Sequence, residues 1–426
     1  MIWIGYTTLY REGGPKFKRA AETMARDLGQ TNPDVMCQAI ESKRDFVDAM
    51  SGLAESGRTI DQLHFIGHSG MYGPMFRTTK MPEQFSPHEW RTLTIPFAKG
   101  GRAWFHACRT ARWFAPFFAR TFGVRAYGYH WYTSVSRRPD RFSWDGPLSN
   151  DAPLYIIACP GKKSHGIAGS LFKYGLGKAE TMKSFDPQSL DGDPSYDQVA
   201  DLYDRVFADI GVRKTEWRYL DAHVPRGARL LDIGCGNGAL LRKLADRLES
   251  GVGVDASREM TEKARAHGGE KIAFEVIAGP RLPFADRSFD VVLSLLSFRY
   301  LDWDPMMNEI RRVLRPGGRV IIVDMVTVPS RAHELPRVAL DKLRQLLAHR
   351  RNPEFAEALR TLVRDPRWKT MLKYNPIRSE HEFRWYLESR FPGRTVELLT
   401  LGLDTRVLGF DSGPLEPGWV APQSYP

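Results

Sequence analysis

Leu230-Leu-Asp-Ile-Gly-Cys-Gly-Asn-Gly238, followed seventeen residues later by the end of Val252-Gly-Val-Asp255, decides the fold of the second half of this chain. An apolar run, three glycines at alternating positions (Gly234, Gly236, Gly238) and the helix-period segment Ala239 to Arg247 read as strand, tight loop and helix. Glycine suits a backbone that turns sharply and lets a ligand lie against it with no Cβ in the way. Asp255, at the end of the next strand, is placed to accept both hydroxyls of a ribose, so the pair reads as a nucleoside site on a Rossmann-like sheet. The loop lacks the Gly-x-Gly-x-x-Gly spacing of dinucleotide sites. Asp232 just ahead of it would repel a pyrophosphate but tolerate a cationic ligand such as the methionine end of S-adenosylmethionine.

Outward from this loop, the segment Tyr196 to Ile210 reads as helical, strands are expected near 272–278, 290–295 and 318–324, and a hairpin from Val396 to Phe410. Leu282-Pro-Phe-Ala-Asp-Arg-Ser-Phe-Asp290 and Glu309-Ile-Arg-Arg-Val-Leu-Arg-Pro-Gly-Gly318 complete a series of four motifs in order. Over residues 196–325 the chain resembles the class I S-adenosylmethionine-dependent methyltransferases. The resemblance implies S-adenosylmethionine as cofactor, held by Asp232, Gly234, Cys235, Gly236, Asn237, Gly238, Asp255, Ala256, Ala278, Gly279 and Leu295. Tyr203, in the Tyr196-Asp-Gln-Val-Ala-Asp-Leu-Tyr-Asp204 segment, would close over it. Ala278 stands where relatives carry an Asp for the adenine amino group, so that contact would fall to backbone atoms. Arg299 and Tyr300 would look over the acceptor side. No Asn-Pro-Pro-Tyr tetrapeptide follows the fourth strand, which argues against an adenine or glutamine amide as acceptor. Helix-forming sequence between Ser330 and Arg390 would wall the acceptor pocket, with His333, His349 and His381 as candidate bases. The acceptor expected is a small molecule or a peptide-like compound.

The first half alternates short apolar runs at 2–7, 35–40, 62–67, 102–108, 124–130 and 153–159 with helix-period segments Lys16 to Leu28, Arg44 to Leu53 and Thr110 to Phe122, which implies a mostly parallel, covered sheet. Leu63-His-Phe-Ile-Gly-His68-Ser-Gly70 closes one strand and Ala103-Trp-Phe-His-Ala-Cys108 the next, so His68 and Cys108 should emerge side by side at the carboxyl edge. A helix beginning near Thr110 and the adjacent Arg109 would favour the thiolate of Cys108. This pattern resembles the caspase-like cysteine peptidases over residues 1 to about 180. Carried over, Cys108 would attack a carbonyl, His68 would move the protons and the Gly70 amide would hold the oxyanion; Ser69, between His68 and Gly70, departs from the family. The rival is that Gly67-His-Ser69 opens a serine-hydrolase elbow with Ser69 as nucleophile, although Met71 stands where its second glycine belongs. A third reading leaves this half as a binding or dimerisation module. Cys159 reads as a small buried apolar group.

Length and composition set the frame. With 426 residues and 42% hydrophobic content the chain suits two domains, here expected at 1–183 and 196–426 with a Pro, Gly and Asp-rich linker at 184–195. No apolar stretch is long enough to cross a membrane, no leader precedes the opening strand, and four scattered cysteines make neither a disulfide framework nor a zinc site. The expectation is a cytoplasmic, metal-free protein. Of the net charge of +11, residues 1–190 carry 25 basic against 16 acidic residues, densest from Arg102 to Arg141. That excess suits a solvated surface or an acidic substrate; with no nucleic-acid fold signature, nucleic acid is not expected.

Overall fold

The computed structural model describes residues 1–143, 152–158, 179–187, 196–328, 332–375, 377–402 and 405–416. It divides into two compact units, Met1–Ser189 and Leu190–Gln423. Cys159 and 188–195 of the expected linker lie outside the described residues, as does the side chain of His349.

In the first unit Ile2–Tyr6 pairs in parallel with Val35–Ala39 on one side and Ile60–Ile66 on the other, and Phe97–His106 and Arg125–Gly128 continue the parallel sheet. Alternation decides the faces. Leu63, Phe65, Ala103 and Phe105 turn towards one core with Trp3, Phe46, Trp90, Phe114 and Phe118, under the helices Lys43–Glu55 and Phe114–Phe122. Each aromatic ring fully buried there contributes roughly 1.5–3 kcal/mol. Ile2, Ile4 and Tyr6 face the other way, onto Ala20 and Ala21 of the Gly14–Gly29 helix. The Lys43–Glu55 helix starts at a capping box between Ser42 and Asp45.

Two expectations need correction here. The 153–159 run does not enter the sheet: Tyr155–Ala158 forms a separate antiparallel pair with Thr133–Ser136. The sixth place in the sheet goes to Lys183–Phe185, antiparallel to Arg125–Gly128 and tied by an Arg125–Asp186 ion pair, so the start of the expected linker is a sheet edge.

The second unit holds a seven-stranded sheet. In spatial order its strands are Ile272–Val276, Ser250–Asp255, Arg229–Ile233, Phe289–Leu295, Leu314–Thr327, Thr405–Asp411 and Glu397–Leu401. The first five are parallel and Thr405–Asp411 runs antiparallel to both its neighbours. From Arg229–Ile233 the chain winds outward through two strands, then crosses back to Phe289–Leu295. That reversal leaves a crevice at the carboxyl ends of Arg229–Ile233 and Phe289–Leu295, where open α/β sheets place ligands. Helices Leu335–Arg351, Pro353–Arg364, Pro366–Tyr374 and Glu380–Arg390 fill the expected insert. Phe383, Tyr386 and Leu387 of the last join the core of the sheet, and Leu362 packs against Val199 and Val206.

Candidate cofactor and acceptor site

The glycine loop after Ile233 is in left-handed backbone at Gly234, Gly236 and Gly238, with φ of 76°, 54° and 73°, a region that favours glycine. The three differ in what a side chain would meet. A Cβ on Gly234 would lie 2.3 Å from Ser297 Cβ and one on Gly238 2.5 Å from the Phe274 ring, whereas one on Gly236 would approach nothing nearer than Met260 Cε at 3.7 Å. Gly234 and Gly238 let the loop pack; Gly236 leaves its face open.

Asp255 closes the loop from the next strand. Its Oδ2 accepts from the Gly236 amide at 2.8 Å and its Oδ1 from the Ser257 amide at 2.9 Å. Burial pushes its carboxyl up, against the pull of those amides. Asp232 is buried with no such help: its Oδ1 has no hydrogen-bond partner. Burial first, and the nearby Asp255 second, push its carboxyl up to about 8.

A cavity of about 330 Å³ opens above these strand ends. Of the expected residues, Tyr203, Gly234, Gly236, Asp255, Ala256, Gly279 and Tyr300 line it. Asp232, Cys235, Asn237 and Leu295 line a smaller cavity of about 40 Å³ that shares Tyr203, Gly234, Gly236 and Leu296 with the first. Tyr196, Ser257, Met260, Ile277, Leu296, Ser297, Asp302, Met306 and Asn375 also line the larger space and were not anticipated. Tyr196 was within reach of the sequence, since it shares the segment that pointed to Tyr203; its hydroxyl donates to Tyr300 Oη at 3.2 Å, and burial raises its pKa. Leu296 gives no sequence signal, yet it holds a φ of 57° where the two cavities meet, strain of the kind that collects at binding sites. Trp368, from the insert, stands edge-on to Tyr196 with ring centroids 6.1 Å apart.

Three expected residues are elsewhere. Ala278 is exposed and lines neither cavity; its neighbours Ile277 and Gly279 do. Gly238 serves as the cap of the Ala239–Leu244 helix. Arg299 does not line the cavity: it is buried, with Nη1 2.5 Å from Asp324 Oδ1 and its amide donating to Asp324 Oδ2 at 2.6 Å. Phe298–Tyr300 is a 3₁₀ turn; Tyr300 lines the cavity, and the Arg299 guanidinium lies behind it, 4.7 Å from the Tyr300 ring centroid. Of the candidate bases, His333 and His381 are exposed and neither lines the cavity.

A family model described as "Methyltransferase domain" matches residues 231–322, which run from the glycine-loop strand into the Leu314–Thr327 strand. The second unit is a class I S-adenosylmethionine-dependent methyltransferase domain. This domain is 34% identical over 177 residues to the 27-O-demethylrifamycin SV methyltransferase of Amycolatopsis mediterranei, covering 36% of this chain and 65% of that protein. It is 39% identical over 126 residues to the methyltransferase GfsG of Streptomyces halstedii, covering 28% and 45%. The chain therefore spans about half to two thirds of these relatives' length. Among solved structures, an S-adenosylmethionine-dependent methyltransferase from Mesorhizobium loti is 30% identical over 28% of this chain and 58% of its own, with a TM-score of 0.26.

The residues of the methyltransferase domain fit S-adenosylmethionine. Asp232 offers a buried carboxylate oxygen without a partner to a cationic amino-acid end, Gly236 presents open backbone, and Asp255 keeps acceptor capacity on both oxygens beside the larger cavity.

In the first unit the register pairs Ile66 with His106, so His68 and Cys108 do leave adjacent strand ends. Their side chains are engaged with other groups. His68 Nε2 lies 2.9 Å from the Glu12 carbonyl oxygen and its ring packs edge-on against Tyr10 and Phe17. Cys108 Sγ lies 3.2 Å from Thr133 Oγ1 and accepts from the Thr133 amide at 3.3 Å. The helix expected from Thr110 is broken: Arg109 is left-handed, Thr110–Arg112 is a 3₁₀ turn, and the α-helix proper is Phe114–Phe122. Cys108 is thus not at a helix amino terminus. Ser69–Gly70 forms a tight hairpin with Gly73–Pro74, and the Ser69 hydroxyl donates to the Cys108 carbonyl at 2.5 Å. A nucleophile elbow needs a helix after the serine; a hairpin there removes the serine-hydrolase reading. Gly70 sits in that hairpin. Among the described residues no three metal-binding side chains converge and no helix is long and apolar enough to cross a membrane.

Proposed function

We propose that the second unit transfers a methyl group from S-adenosylmethionine to a small-molecule acceptor bound beside Tyr196, Tyr300, Asp302 and Asn375. The observation that carries this reading is the cavity running from Asp255 and the Gly236 backbone to those polar groups, with Leu301 and Met306 supplying apolar wall. S-adenosylmethionine, when bound, supplies a methyl already activated on a sulfonium, so the protein's task is alignment and exclusion of water. Asp255 would fix the ribose, Ile277 and Gly279 would border the adenine, and Asp232 would balance the ammonium. Tyr196 and Tyr300, hydroxyl to hydroxyl, would orient an acceptor oxygen or carbon and pass on its proton. Relatives bearing the names O-methyltransferase and C-methyltransferase support a small acceptor while leaving both atoms open. Titration calorimetry with S-adenosylmethionine, followed by incubation of methyl-labelled cofactor with cell extract, tests it. Label in the low-molecular-weight fraction, lost with Asp255→Ala, is expected; binding with no labelled product from any fraction would refute transfer.

The first unit carries a second activity in this reading, that of a caspase-like hydrolase or binder of peptide-like ligands built on Cys108 and His68, which would make a peptide-like acceptor accessible to the methyltransferase domain. Its support is the parallel register that brings both residues to neighbouring strand ends. In the bonds above, the thiol and the ring are each engaged elsewhere, so ligand binding must bring them together, as catalytic hydrogen bonds often tighten only in a complex. A Cys108→Ala protein that keeps S-adenosylmethionine affinity but loses hydrolysis of peptide libraries is the expected result; unaltered hydrolysis would remove the nucleophile.

A further inference from the structure

The sulfur of S-adenosylmethionine stands between its ribose and its amino-acid end. In the methyltransferase domain Asp255 lines the larger cavity and Asp232 the smaller, while Tyr203, Gly234, Gly236 and Leu296 line both. With the ribose at Asp255 and the ammonium at Asp232, the sulfur and its methyl fall at that junction. Two of the four shared residues are glycines. Tyr203 reaches the junction from the Ala200–Phe207 helix, its ring packed on Phe207 at a centroid distance of 4.7 Å. Leu296 is the apolar side chain that the sheet itself brings there.

Leu296 holds that place against its own backbone. Its φ of 57° is left-handed, which crowds the Cβ of any residue but glycine. Among the described residues the other non-glycine positions of this kind are Arg11, Arg77, Arg109 and Arg287, so Leu296 is the apolar one. Its surroundings fix the conformation. The Leu296 amide donates to the Val323 carbonyl at 2.7 Å, and the hydroxyls of Ser294 and Ser297 donate to the carbonyls of Ile233 and Gly234 at 3.0 and 2.9 Å, which stitches the strand end to the glycine loop. Glycine takes such a φ freely, so the turn does not call for a leucine. Neither does the core: Leu295 packs on the cluster that holds Leu293 and Val323, and Leu301 on the one that holds Phe298, whereas among the described residues Leu296 joins no apolar core. Strain kept without a packing return points to a ligand.

We propose that Leu296 is the residue that reads the cofactor's methyl group, its side chain lying against the sulfonium methyl and so distinguishing S-adenosylmethionine from the demethylated S-adenosylhomocysteine. The inference rests on the methyl-transfer reading and adds to it a means of telling fresh cofactor from spent. A methyl that meets a leucine side chain leaves water; once it has been transferred, the same leucine faces a gap and that contact no longer holds the spent cofactor.

Titration calorimetry of the full-length protein with S-adenosylmethionine and with S-adenosylhomocysteine tests it. The quantity read is the ratio of the two dissociation constants in each variant, divided by the wild-type ratio, so that contributions residue 296 does not touch cancel. Leu296→Ala keeps the Cβ, and with it the strained backbone, but removes the side chain beyond. It should weaken S-adenosylmethionine about three- to fivefold, the worth of one buried methyl, while S-adenosylhomocysteine changes by less than about twofold. Leu296→Gly, whose backbone takes this φ freely, should show the same loss and keeps the test decisive where the alanine variant folds poorly. Leu296→Met, close to leucine in volume, should restore the ratio. Ile277→Ala, at the adenine end of the larger cavity, should weaken both ligands alike. Equal weakening of the two ligands by Leu296→Ala and Leu296→Gly overturns the proposal, and so does the same change of ratio in Ile277→Ala. Wild-type protein that binds neither ligand refutes the cofactor reading itself, whereas binding of both with a ratio indifferent to residue 296 removes this inference alone.

Discussion

Replacing Asp232 with asparagine should stabilise the ligand-free methyltransferase domain and disable its cofactor site in the same step. The side chain is 1% exposed, its Oδ1 is unpartnered, and its carboxyl titrates at about 8; in an unfolded chain it would titrate near about 3.9. A folded pKa above the unfolded one gives stability that is fully present below the unfolded value and is lost as pH rises through the folded value. Wild-type stability should therefore decline from about pH 4 to about pH 8. A shift of about 4 units, at about 1.36 kcal/mol each, sets a ceiling of about 5 kcal/mol, and relaxation together with water entering from the adjoining cavity reduces this to about 2 kcal/mol. Asparagine keeps the shape and escapes that penalty. At pH 8 the variant should melt about 4–8 °C higher in a unit of this size, and at pH 4 within about a degree of wild type.

The same charge works in the opposite sense for the ligand. A cationic ammonium against Asp232 favours the ionised carboxyl, so wild-type affinity for S-adenosylmethionine should tighten between pH 6 and 8, by at most about tenfold per unit, and level off as the ligand's own ammonium deprotonates near about 8. Asp232→Asn should bind roughly 10–100-fold more weakly with no such slope. Scanning calorimetry on the transition that the cofactor shifts, and titration calorimetry in two buffers of different ionisation enthalpy, read both effects. A variant that melts below wild type at pH 8, or one that keeps the wild-type pH slope of binding, would refute the assignment of the orphaned carboxyl to the cofactor.

Gly234→Ala and Gly236→Ala should fail differently: the first drives a methyl into Ser297 and should cost about 2 kcal/mol or more of stability, while the second adds only about 1–2 kcal/mol of backbone strain but weakens cofactor binding, and a thermal shift paired with calorimetry separates them. Asp255→Ala removes the acceptor of two amides as well as the expected ribose contact, so the dissociation constant for S-adenosylmethionine should rise by a hundredfold or about that, at two charge-assisted hydrogen bonds; a change under about threefold would displace the ribose from this acid. Arg299→Met leaves Asp324 buried and unpaired and should cost about 3–5 kcal/mol, partly recovered by adding Asp324→Asn. If Arg299→Met melted like wild type and lost only acceptor turnover, the acceptor-side role would return.

The parts of the second unit that the sequence disclosed are those whose function is local in the chain. The glycine loop carries its own backbone demand, and Asp255 follows one helix later, so residues close in the sequence line one cavity. Ser257 and Met260 were missed although they lie within five residues of Asp255, because nothing in their chemistry separates a wall residue from a helix start. Asn375 and Trp368 were out of reach for another reason. They come from an insert whose helices are legible by periodicity, but which face turns inward depends on packing against Val199, Val206 and their neighbours. Arg299 stays against the Tyr300 ring but out of the cavity, because the buried Asp324, distant in sequence, takes its guanidinium.

In the first unit the sheet was legible and the chemistry at its edge was not. Parallel pairing of Ile60–Ile66 with Phe97–His106 follows from two apolar runs joined by a long connection, and it is enough to bring His68 and Cys108 to one edge. Beyond the last paired residues, tertiary contacts take over. A Cβ at Gly128 would lie 2.7 Å from Thr110 Oγ1 and 2.8 Å from the Ala111 nitrogen, so the turn after Cys108 rests directly on the neighbouring strand. Thr110 Oγ1 reaches the carbonyls of Phe105 and Ala107 at 3.3 and 3.2 Å, which pins the chain across the strand end before a helix can begin. The helical periodicity from Thr110 to Phe122 contains neither fact. Within that pinned turn Arg109 is left-handed and its guanidinium lies 5.6 Å from the Tyr132 ring centroid, so neither a helix amino terminus nor a free neighbouring cation is what Cys108 meets.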